Sequence, residues 1–432
     1  MRLFGTSGIR RIADSSLIEL TLKTGIVVGK LYQNVVIGCD TRTSSPALKY
    51  AFISGALTAG AECCDAGMIP TPTLALAARG FRAGVIITAS HNPPEYNGIK
   101  LWNPDGSAFD EKQQTQIEEM ILDSSPEAAP WKDMKQASAC GVAIENHINH
   151  IMKTIPKVSK LKITLDCGGG AASVITPELL KRLGCEVTAL NCTPSGFFTR
   201  PSEPTEANLG DLIKAVKETG ADVGIAHDGD ADRMMAVDDK GRFIPGDKLL
   251  VLFAGQEKAK EVVTTMDASM VIDEMGLKVT RTRVGDSYVS DELKSGGDFG
   301  GEPSGAWIFP KNSLCPDGIY AAAWLVNIAS QQKLSGLVDK IPQYPILRGS
   351  LASDGLVKAE LEKRLLALAP LSVNNLDGTR LTFKDGWLLV RASGTEPKIR
   401  VTAESRTEAG TRRLYDSVIA AIRECAKGSR KH

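Results

Sequence analysis

Short apolar runs alternate with longer stretches of helical period along most of the chain. Val35-Val36-Ile37-Gly38-Cys39-Asp40 reads as a buried strand ending in Asp. Residues 45–59 carry the apolar period of a helix closed by Gly60, and Glu62-Cys63-Cys64 leads into a second short strand. The pattern returns at Lys162-Ile163-Thr164-Leu165-Asp166, with a helix through Leu183 and then Gly184-Cys185-Glu186-Val187-Thr188. A shortened third copy runs Thr264-Thr265-Met266-Asp267, a helix to Met275, then Gly276-Leu277-Lys278-Val279-Thr280. Strands that alternate with helices imply βαβ units and mostly parallel, doubly wound sheets. Three copies therefore predict three related α/β domains.

Each copy continues to a later strand whose end carries polar residues. Val85-Ile86-Ile87 runs into Thr88-Ala89-Ser90-His91-Asn92-Pro93. Val223-Gly224-Ile225-Ala226 leads to Asp228-Gly229-Asp230-Ala231-Asp232-Arg233, and Asp298-Phe299 leads to Gly301-Glu302-Pro303-Ser304-Gly305. Ligands of open α/β sheets bind beyond the carboxyl ends of the strands, so the three loops are expected to face one cleft. The tail is different. Trp387-Leu388-Leu389-Val390-Arg391 and Lys398-Ile399-Arg400-Val401 read as strands, and a helix follows from about Glu408 to Cys425, giving a smaller α+β domain. Residues 123–141, rich in Ser, Pro and Ala, and 341–350, with Pro342, Pro345 and Gly349, read as connections.

Composition narrows the function. A length of 432 residues leaves room for roughly three or four domains. Lys plus Arg and Asp plus Glu are both 51, so the net charge is zero, which argues against broad nucleic-acid or anionic-membrane binding but not against a local pocket for a phosphorylated ligand. No run approaches the length of a membrane span. The first residues, Met1 to Gly5, lack the apolar stretch of a signal peptide. Nine Cys are scattered without C-x-x-C spacing, and the adjacent Cys63 and Cys64 would be strained if bridged. Reduced thiols and a cytoplasmic location are the expectation.

Ser90 is a hydroxyl at a strand end with His91 and Lys100 nearby, a candidate nucleophile or phosphate carrier; an ordinary polar loop is the alternative. Pro93-Pro94 stiffens that loop, and Gly98 lets the backbone approach a neighbour closely. Asp228, Asp230 and Asp232 lie at i, i+2 and i+4, which on an extended segment puts three carboxylates on one face. Their repulsion calls for a cation, and an all-oxygen set suits Mg²⁺ or Ca²⁺ better than Zn²⁺. An EF-hand is excluded, because Arg233 stands at the turn Gly and Asp239 at the bidentate Glu; a solvated acidic turn is the other alternative. Arg233 offers a fork for phosphate oxygens. Arg391-Ala392-Ser393-Gly394-Thr395-Glu396-Pro397 joins two strands, and its hydroxyls, backbone N–H groups and guanidinium can converge on an anion, or form a plain hairpin turn. There is no P-loop motif, and Gly168-Gly169-Gly170-Ala171 lacks dinucleotide-binding spacing. His147 and His150 are read as part of a surface helix.

In this order, the motifs resemble those of the α-D-phosphohexomutase family, which includes phosphoglucomutases, phosphomannomutases and phosphoglucosamine mutases. The similarity covers essentially the whole chain. It begins at Leu3-Phe4-Gly5-Thr6-Ser7-Gly8-Ile9-Arg10 and continues through residues 88–100, 228–233, 301–305 and 391–397.

The resemblance implies three related doubly wound mixed α/β domains and a smaller C-terminal α+β domain around one central cleft. The domains are expected at 1–140 with the phosphoserine loop, 141–245 with the metal loop, 246–342 with the sugar loop and 343–432 with the phosphate loop. By resemblance Ser90 carries the phosphoryl group, and Asp228, Asp230 and Asp232 hold Mg²⁺ together with a phosphoserine oxygen. Glu302 and Ser304 bind sugar hydroxyls, and Arg391, Ser393, Gly394 and Thr395 grip the phosphate that is not reacting. Arg10, His91 and Lys100 lie near the transferring group, with Lys100 a candidate acid/base. The implied reaction converts a hexose 6-phosphate to a hexose 1-phosphate through a hexose 1,6-bisphosphate, which also acts as activator. The partner is thus a phosphorylated hexose, with no nucleic acid and no membrane, and the protein is expected as a monomer or homodimer.

In many family members a His follows the sugar-loop Gly. Here Ala306 follows Gly305, and Pro303 separates Glu302 from Ser304. This form resembles the archaeal phosphoglucosamine-mutase-type branch, so glucosamine phosphate is the expected sugar. A phosphoglucomutase or phosphomannomutase is the alternative, followed by a metal-dependent serine phosphatase or a silent sugar-phosphate sensor.

Overall fold

The computed structural model describes residues 3–5, 7–123, 128–158, 160–352, 358–392 and 398–428. It contains two compact units, one made of Met1–Ala259 and Gly285–Lys340, the other of Lys260–Val284 and Ile341–His432.

The first unit opens with β1 (Ile9–Ile12), α1 (Ser15–Tyr32), β2 (Asn34–Cys39), α2 (Ser45–Thr58), β3 (Glu62–Met68), α3 (Thr71–Ala77), β4 (Ala83–Ile87), β5 (Tyr96–Trp102), α4 (Glu111–Asp123) and β6 (Ala137–Ala139). The strands form one sheet in the order β1-β5-β4-β2-β3-β6. Only β5 runs against its neighbours. Asp14 starts α1 by accepting the Leu17 N–H. Helices α1 and α2 pack at bare glycines: a Cβ on Gly25 would lie 2.3 Å from the Phe52 carbonyl oxygen, and one on Gly55 2.2 Å from that of Leu22. Strands β2 and β4 are almost wholly buried, as continuous apolar runs in a covered parallel sheet should be.

A second sheet in this unit is built from α5 (Ala143–Thr154), β7 (Lys162–Asp166), α6 (Thr176–Leu183), β8 (Glu186–Leu190), α7 (Gly210–Thr219), β9 (Val223–His227), β10 (Met234–Val237) and β11 (Phe243–Ile244). Its order is β11-β10-β9-β7-β8, with β7, β8 and β9 parallel. Helix α8 (Gly246–Gln256) follows. The chain then enters the second unit for β12 (Glu261–Thr265) and β13 (Lys278–Thr282), a parallel pair. It returns to the first for α9 (Asp286–Ser295), β14 (Phe299–Gly301), β15 (Trp307–Ile308), α10 (Gly318–Gln331) and α11 (Leu334–Val338). The rest of the second unit is β16 (Ile346–Ala352), α12 (Lys358–Leu366), β17 (Ser372–Asn374), β18 (Thr379–Phe383), β19 (Gly386–Ala392), β20 (Lys398–Ser405) and α13 (Glu408–Gly428), an antiparallel sheet in the order β16-β20-β19-β18-β17 over a helix core. Among the described residues no helix is long and apolar enough to cross a membrane.

Several local expectations are corrected. The third-copy helix is a 3₁₀ turn, Met270–Met275. Between its cap at Ser269 and the left-handed Gly276 there are too few residues to repay the cost of nucleating an α-helix. The two connections are partly strand: 137–139 is β6, paired with β3, and β16 starts at Ile346. Edge strands take their register from a neighbour's backbone, so small residues leave little side-chain signal. His147 is not on a surface face of α5 but buried, at 1% exposure. The thiols are not all reduced: Cys64 is bridged to Cys140. The β3–β6 pairing carries Cys140 one residue past the strand end, where its N–H donates to the Asp65 carbonyl and its Cα lies 5.8 Å from that of Cys64.

Candidate active site

The Ser90 loop starts where β4 ends and is held from beneath. Asp40, at the end of β2, accepts from Thr88 Oγ1 at 2.7 Å, and Thr88 Oγ1 accepts from the Ser90 N–H at 2.9 Å. Arg42 is fully buried, paired through Nε with Asp40 at 3.1 Å. Its two terminal nitrogens donate to four carbonyls of the loop: Ser90 at 2.8 Å, Asn92 at 2.7 Å, Pro93 at 2.6 Å and Tyr96 at 2.8 Å. Ser90 itself has φ +51°, a left-handed conformation that costs a non-glycine residue ~1–3 kcal/mol and persists only where the surroundings enforce it. Arg42 supplies that enforcement. Sequence reasoning placed Asp40 at its strand end and missed Arg42, although an Arg two residues after a strand-end Asp was visible. Arg42→Met is expected to cost about 3–5 kcal/mol, because it leaves Asp40 as an unpaired buried charge. Urea unfolding measures this, and a loss below about 1 kcal/mol would remove Arg42 from the role.

The same device supports the second loop. Arg200 pairs through Nε with Asp166, at the end of β7, at 2.8 Å and donates to the His227 carbonyl at 2.8 Å. This loop is not extended, as the sequence reading assumed. It bends, with Ala231 at φ +59°, and the bend draws the carboxylates of Asp228, Asp230 and Asp232 within 4.8 Å of one another. Gly229 has no side chain because the Ser90 carbonyl occupies its place: a Cβ there would lie 2.5 Å from that oxygen. The two loops are thus in backbone contact. Ser90 Oγ donates to Asp228 Oδ2 at 2.7 Å, and His91 Nδ1 lies 3.4 Å from the same hydroxyl.

Lys100 reaches the triad from β5. Its Nζ lies 2.8 Å from Asp230 Oδ2 and 2.6 Å from Asp232 Oδ2. Burial works against its charge, but the two carboxylates outweigh burial and hold its pKa above the ordinary lysine value. Asp228 is pushed up by burial and by its two acidic neighbours, whereas Asp230, despite burial, is held down by Lys100 and Thr71. The Arg233 charge, burial, Arg10 and Lys100 push His91 down to about 2, so its imidazole is neutral near pH 7. The Oδ1 atoms of Asp230 and Asp232 are buried without a hydrogen-bond partner. Buried carboxylate oxygens left bare are costly, and an oxygen-seeking cation is the group whose chemistry fits them. The buried triad can therefore hold a metal ion.

Arg10, on β1 beside Gly98 of β5, donates to Asn92 Oδ1 at 3.0 Å. Gly98 must be bare there, since a Cβ would lie 1.9 Å from the Ile9 carbonyl oxygen. The Glu302 loop joins the metal loop through main chain: Arg233 bridges Ala306, and the Met234 N–H donates to the Gly305 carbonyl at 2.9 Å. Glu302 Oε1 accepts from the Gly285 N–H at 2.8 Å, and Ser304 Oγ lies 3.5 Å from Glu302 Oε2. Arg233 pairs with Glu203 at 3.1 Å, another partner that sequence reasoning missed. The first unit thereby brings together Ser90, His91, Lys100, Arg10, the three Asp residues, Arg233, Glu302 and Ser304. Arg391 belongs to the second unit, where Asp377 Oδ2 takes its Nη1 at 2.7 Å and also the Val284 N–H at 2.9 Å. Ser393, Gly394 and Thr395 lie outside the described residues.

Comparison with known proteins agrees with this arrangement. Models of the phosphoglucomutase/phosphomannomutase family match alpha/beta/alpha domain I at residues 1–127, domain II at 144–241, domain III at 245–344 and the C-terminal domain at 356–421. The chain is 48% identical to the protein named probable phosphoglucosamine mutase of Methanocella arvoryzae, over 98% of this chain and 99% of that one. It is 50% identical to the protein of the same name from Methanosarcina barkeri, over 94% and 96%. Among solved structures, a phosphoglucomutase/phosphomannomutase family protein from Burkholderia thailandensis superposes with a TM-score of 0.87 at 27% identity, covering 99% of this chain and 98% of that one. With the serine, the buried carboxylates and the sugar loop assembled in one unit, and all four domain models matched in order, the chain belongs to the phosphoglucomutase/phosphomannomutase family of phosphohexomutases.

Proposed function

We propose that the chain interconverts glucosamine 6-phosphate and glucosamine 1-phosphate, with Ser90 as the phosphoryl carrier and the hexosamine 1,6-bisphosphate as intermediate. The observation that carries this reading is the Ser90 hydroxyl, fixed in a left-handed turn and bonded to Asp228 inside a cluster of three buried carboxylates. The donor set supports Mg²⁺ as the ion, held by Asp228, Asp230, Asp232 and an oxygen of phosphorylated Ser90. Bound there, it supplies positive charge against the charge spread over the transferring phosphoryl oxygens.

The chain's own residues account for the rest. The Ser90 Oγ–P bond breaks as a bond forms from phosphorus to the free hydroxyl oxygen of the sugar monophosphate, the hydroxyl proton passing to Ser90 Oγ; the bisphosphate then turns round, and its other phosphoryl returns to Ser90 by the reverse exchange. Arg10 and Arg233 face that group with fixed positive charge. Lys100, kept as an ammonium by Asp230 and Asp232, is suited to donating a proton or hydrogen bond rather than to acting as a resting base. Glu302 and Ser304 take the sugar hydroxyls in either orientation. Arg391, aimed by Asp377, with Ser393, Gly394 and Thr395, holds the phosphate that is not reacting. On this reading the chain divides at 140, 245 and 342 into loop-bearing parts for phosphoserine, metal, sugar and phosphate. A charged sugar phosphate does not cross a bilayer unaided, which supports a cytoplasmic reaction.

The choice of glucosamine rests on the two relatives at 48% and 50% identity and on Glu302-Pro303-Ser304-Gly305-Ala306. Glucose, mannose and glucosamine share hydroxyls at C3 and C4, so discrimination must fall on C2. Leaving one polar group there unpaired costs ~1–3 kcal/mol, a preference of roughly tenfold to a hundredfold in kcat/KM. The test supplies each hexose 1-phosphate with its bisphosphate and follows isomerisation and phosphate release together. Glucosamine phosphate should be turned over at least ~10-fold better than the others. A glucose or mannose preference of that size would transfer the reading to those sugars, and release of phosphate without isomerisation would make the protein a phosphatase.

A further inference from the structure

The triad is gripped by residues that no part of the phosphoryl-transfer reading uses. Thr71, the first residue of α3, donates Oγ1–H to Asp230 Oδ2 at 2.6 Å and its N–H to the Asp230 carbonyl at 2.9 Å. Two residues on, Thr73 Oγ1 meets His147 Nδ1 at 2.9 Å. The other ring nitrogen, Nε2, meets Asp317 Oδ2 at 3.1 Å. Asp317 Oδ1 caps α10 by accepting from the N–H groups of Ile319 and Tyr320. The next residue, Gly318, donates its N–H to the Ala231 carbonyl at 3.2 Å. A Cβ on Gly318 would lie 2.5 Å from the Arg233 carbonyl oxygen, so α10 is seated directly on the metal loop.

These contacts close a ring. It runs from Asp230 through Thr71 and Thr73 to His147, then through Asp317 and Gly318 to Ala231, next to Asp230 in sequence. Thr73, His147 and Asp317 are all buried, at 0%, 1% and 2% exposure. Both ring nitrogens of His147 are thus paired, Nδ1 with the Thr73 hydroxyl and Nε2 with the Asp317 carboxylate. The ring has two consequences at the metal loop. It holds Ala231 at φ +59°, a conformation that costs energy in a residue with a Cβ. It also commits Asp230 Oδ2 to Thr71 and Lys100, leaving Oδ1 as the buried, unpartnered oxygen of that carboxylate. Fixing one carboxylate oxygen so that the other points at a metal is what partners behind a ligand do.

We propose that His147 and Thr71 are positioning residues for the divalent cation: His147 locks α3 to α10, and Thr71 transmits that lock to Asp230. The proposal rests on the reading of the Asp triad as a metal site. Neither residue is among those assigned to the sugar or the phosphoryl group, so the effect should appear in cation affinity and not in sugar-phosphate affinity. Partners of this kind change metal affinity by roughly 10–100-fold when removed.

The experiment titrates Mg²⁺, with Mn²⁺ as a spectroscopic probe, into chelator-treated full-length protein by calorimetry. Wild type is compared with Thr71→Val, His147→Ala, His147→Asn and the Thr71→Val/His147→Ala double variant, with melting temperatures recorded in parallel. The expected result is a cation Kd raised about 10-fold or more in Thr71→Val and His147→Ala, with unchanged Kd for sugar phosphate. The double variant should be little worse than Thr71→Val alone, since His147 acts through Thr71. His147→Asn, whose amide can stand in for one ring nitrogen, should recover part of the loss. Lowered melting temperatures with an unchanged cation Kd would overturn the proposal and leave the ring a packing device. Thr71→Val, which removes one hydroxyl and keeps the shape, decides the matter if His147→Ala does not fold. A wild-type protein that binds neither cation would overturn the metal reading and this proposal together, a result distinct from cation binding that the variants leave untouched.

Discussion

Ser90→Ala should lower kcat by ~10³-fold or more while leaving the fold intact, because it removes the atom to which the phosphoryl group is attached. The fold should survive the substitution, because the loop is held by main-chain contacts more than by this side chain. Ser90 is 1% exposed, its backbone is held by Arg42 and Thr88, and the side chain contributes a hydrogen bond to Asp228 and a longer one, 3.4 Å, with His91 Nδ1. The loss should therefore appear mainly in turnover, with the urea midpoint lowered only by what the bared Asp228 oxygen costs, ~1–3 kcal/mol. Intact-mass and peptide analysis of wild type after incubation with a hexose bisphosphate should find the phosphate on Ser90. Phosphate on another residue together with an active Ser90→Ala enzyme would refute the assignment.

Asp230→Asn should weaken divalent-cation binding by at least ~10-fold and lower turnover at moderate metal by roughly 10²-fold. Asp230 is the carboxylate that Lys100 and Thr71 hold ionised despite burial. An amide in its place keeps the volume and an oxygen for Thr71 but removes one charge from an oxygen-only site. It also leaves Lys100 with Asp232 alone as its carboxylate partner. Excess chelator should reduce wild type to the same low rate, and added Mg²⁺ should restore wild type fully and the variant only at higher concentration. Undiminished wild-type turnover in chelator would exclude the metal from the reaction.

The periodicities in the chain were sufficient for its layers. A strand ending in Asp, an amphipathic helix, a Gly and a second strand appear at 35–64 and again at 162–188, and both became parallel βαβ units with helix on strand. Local alternation is a property of neighbouring residues, so it is readable before the chain folds. The chemistry-bearing loops were legible for a related reason: Ser90, the Asp228–Asp232 spacing and Glu302–Gly305 each sit within a few residues of a strand end, where ligands of such sheets bind. The same local logic failed for Met270–Met275, where the segment was too short for the helix its composition suggested, and for 137–139, whose strand is dictated by β3 and not by its own side chains.

What the tertiary structure alone decided is which distant groups meet. Thr71 and Asp230 are 159 positions apart, Lys100 and Asp230 are 130 apart, and His147 and Asp317 are 170 apart. No period or spacing within a window relates such residues, because their encounter follows from how two sheets and their helices pack. The bend at Ala231 belongs here too. The Asp spacing pointed to convergence, but on an extended segment, whereas the carboxylates converge through a left-handed residue that only the surrounding ring and helix α10 can hold in place. The local company of His147 suits a surface helix, yet contacts made from α3 and from Asp317 before α10 bury it. Sequence thus determined the elements and the reactive groups at their ends; packing determined how those groups are aimed, since burial and hydrogen-bond partnership are properties of the assembled core and not of the segment.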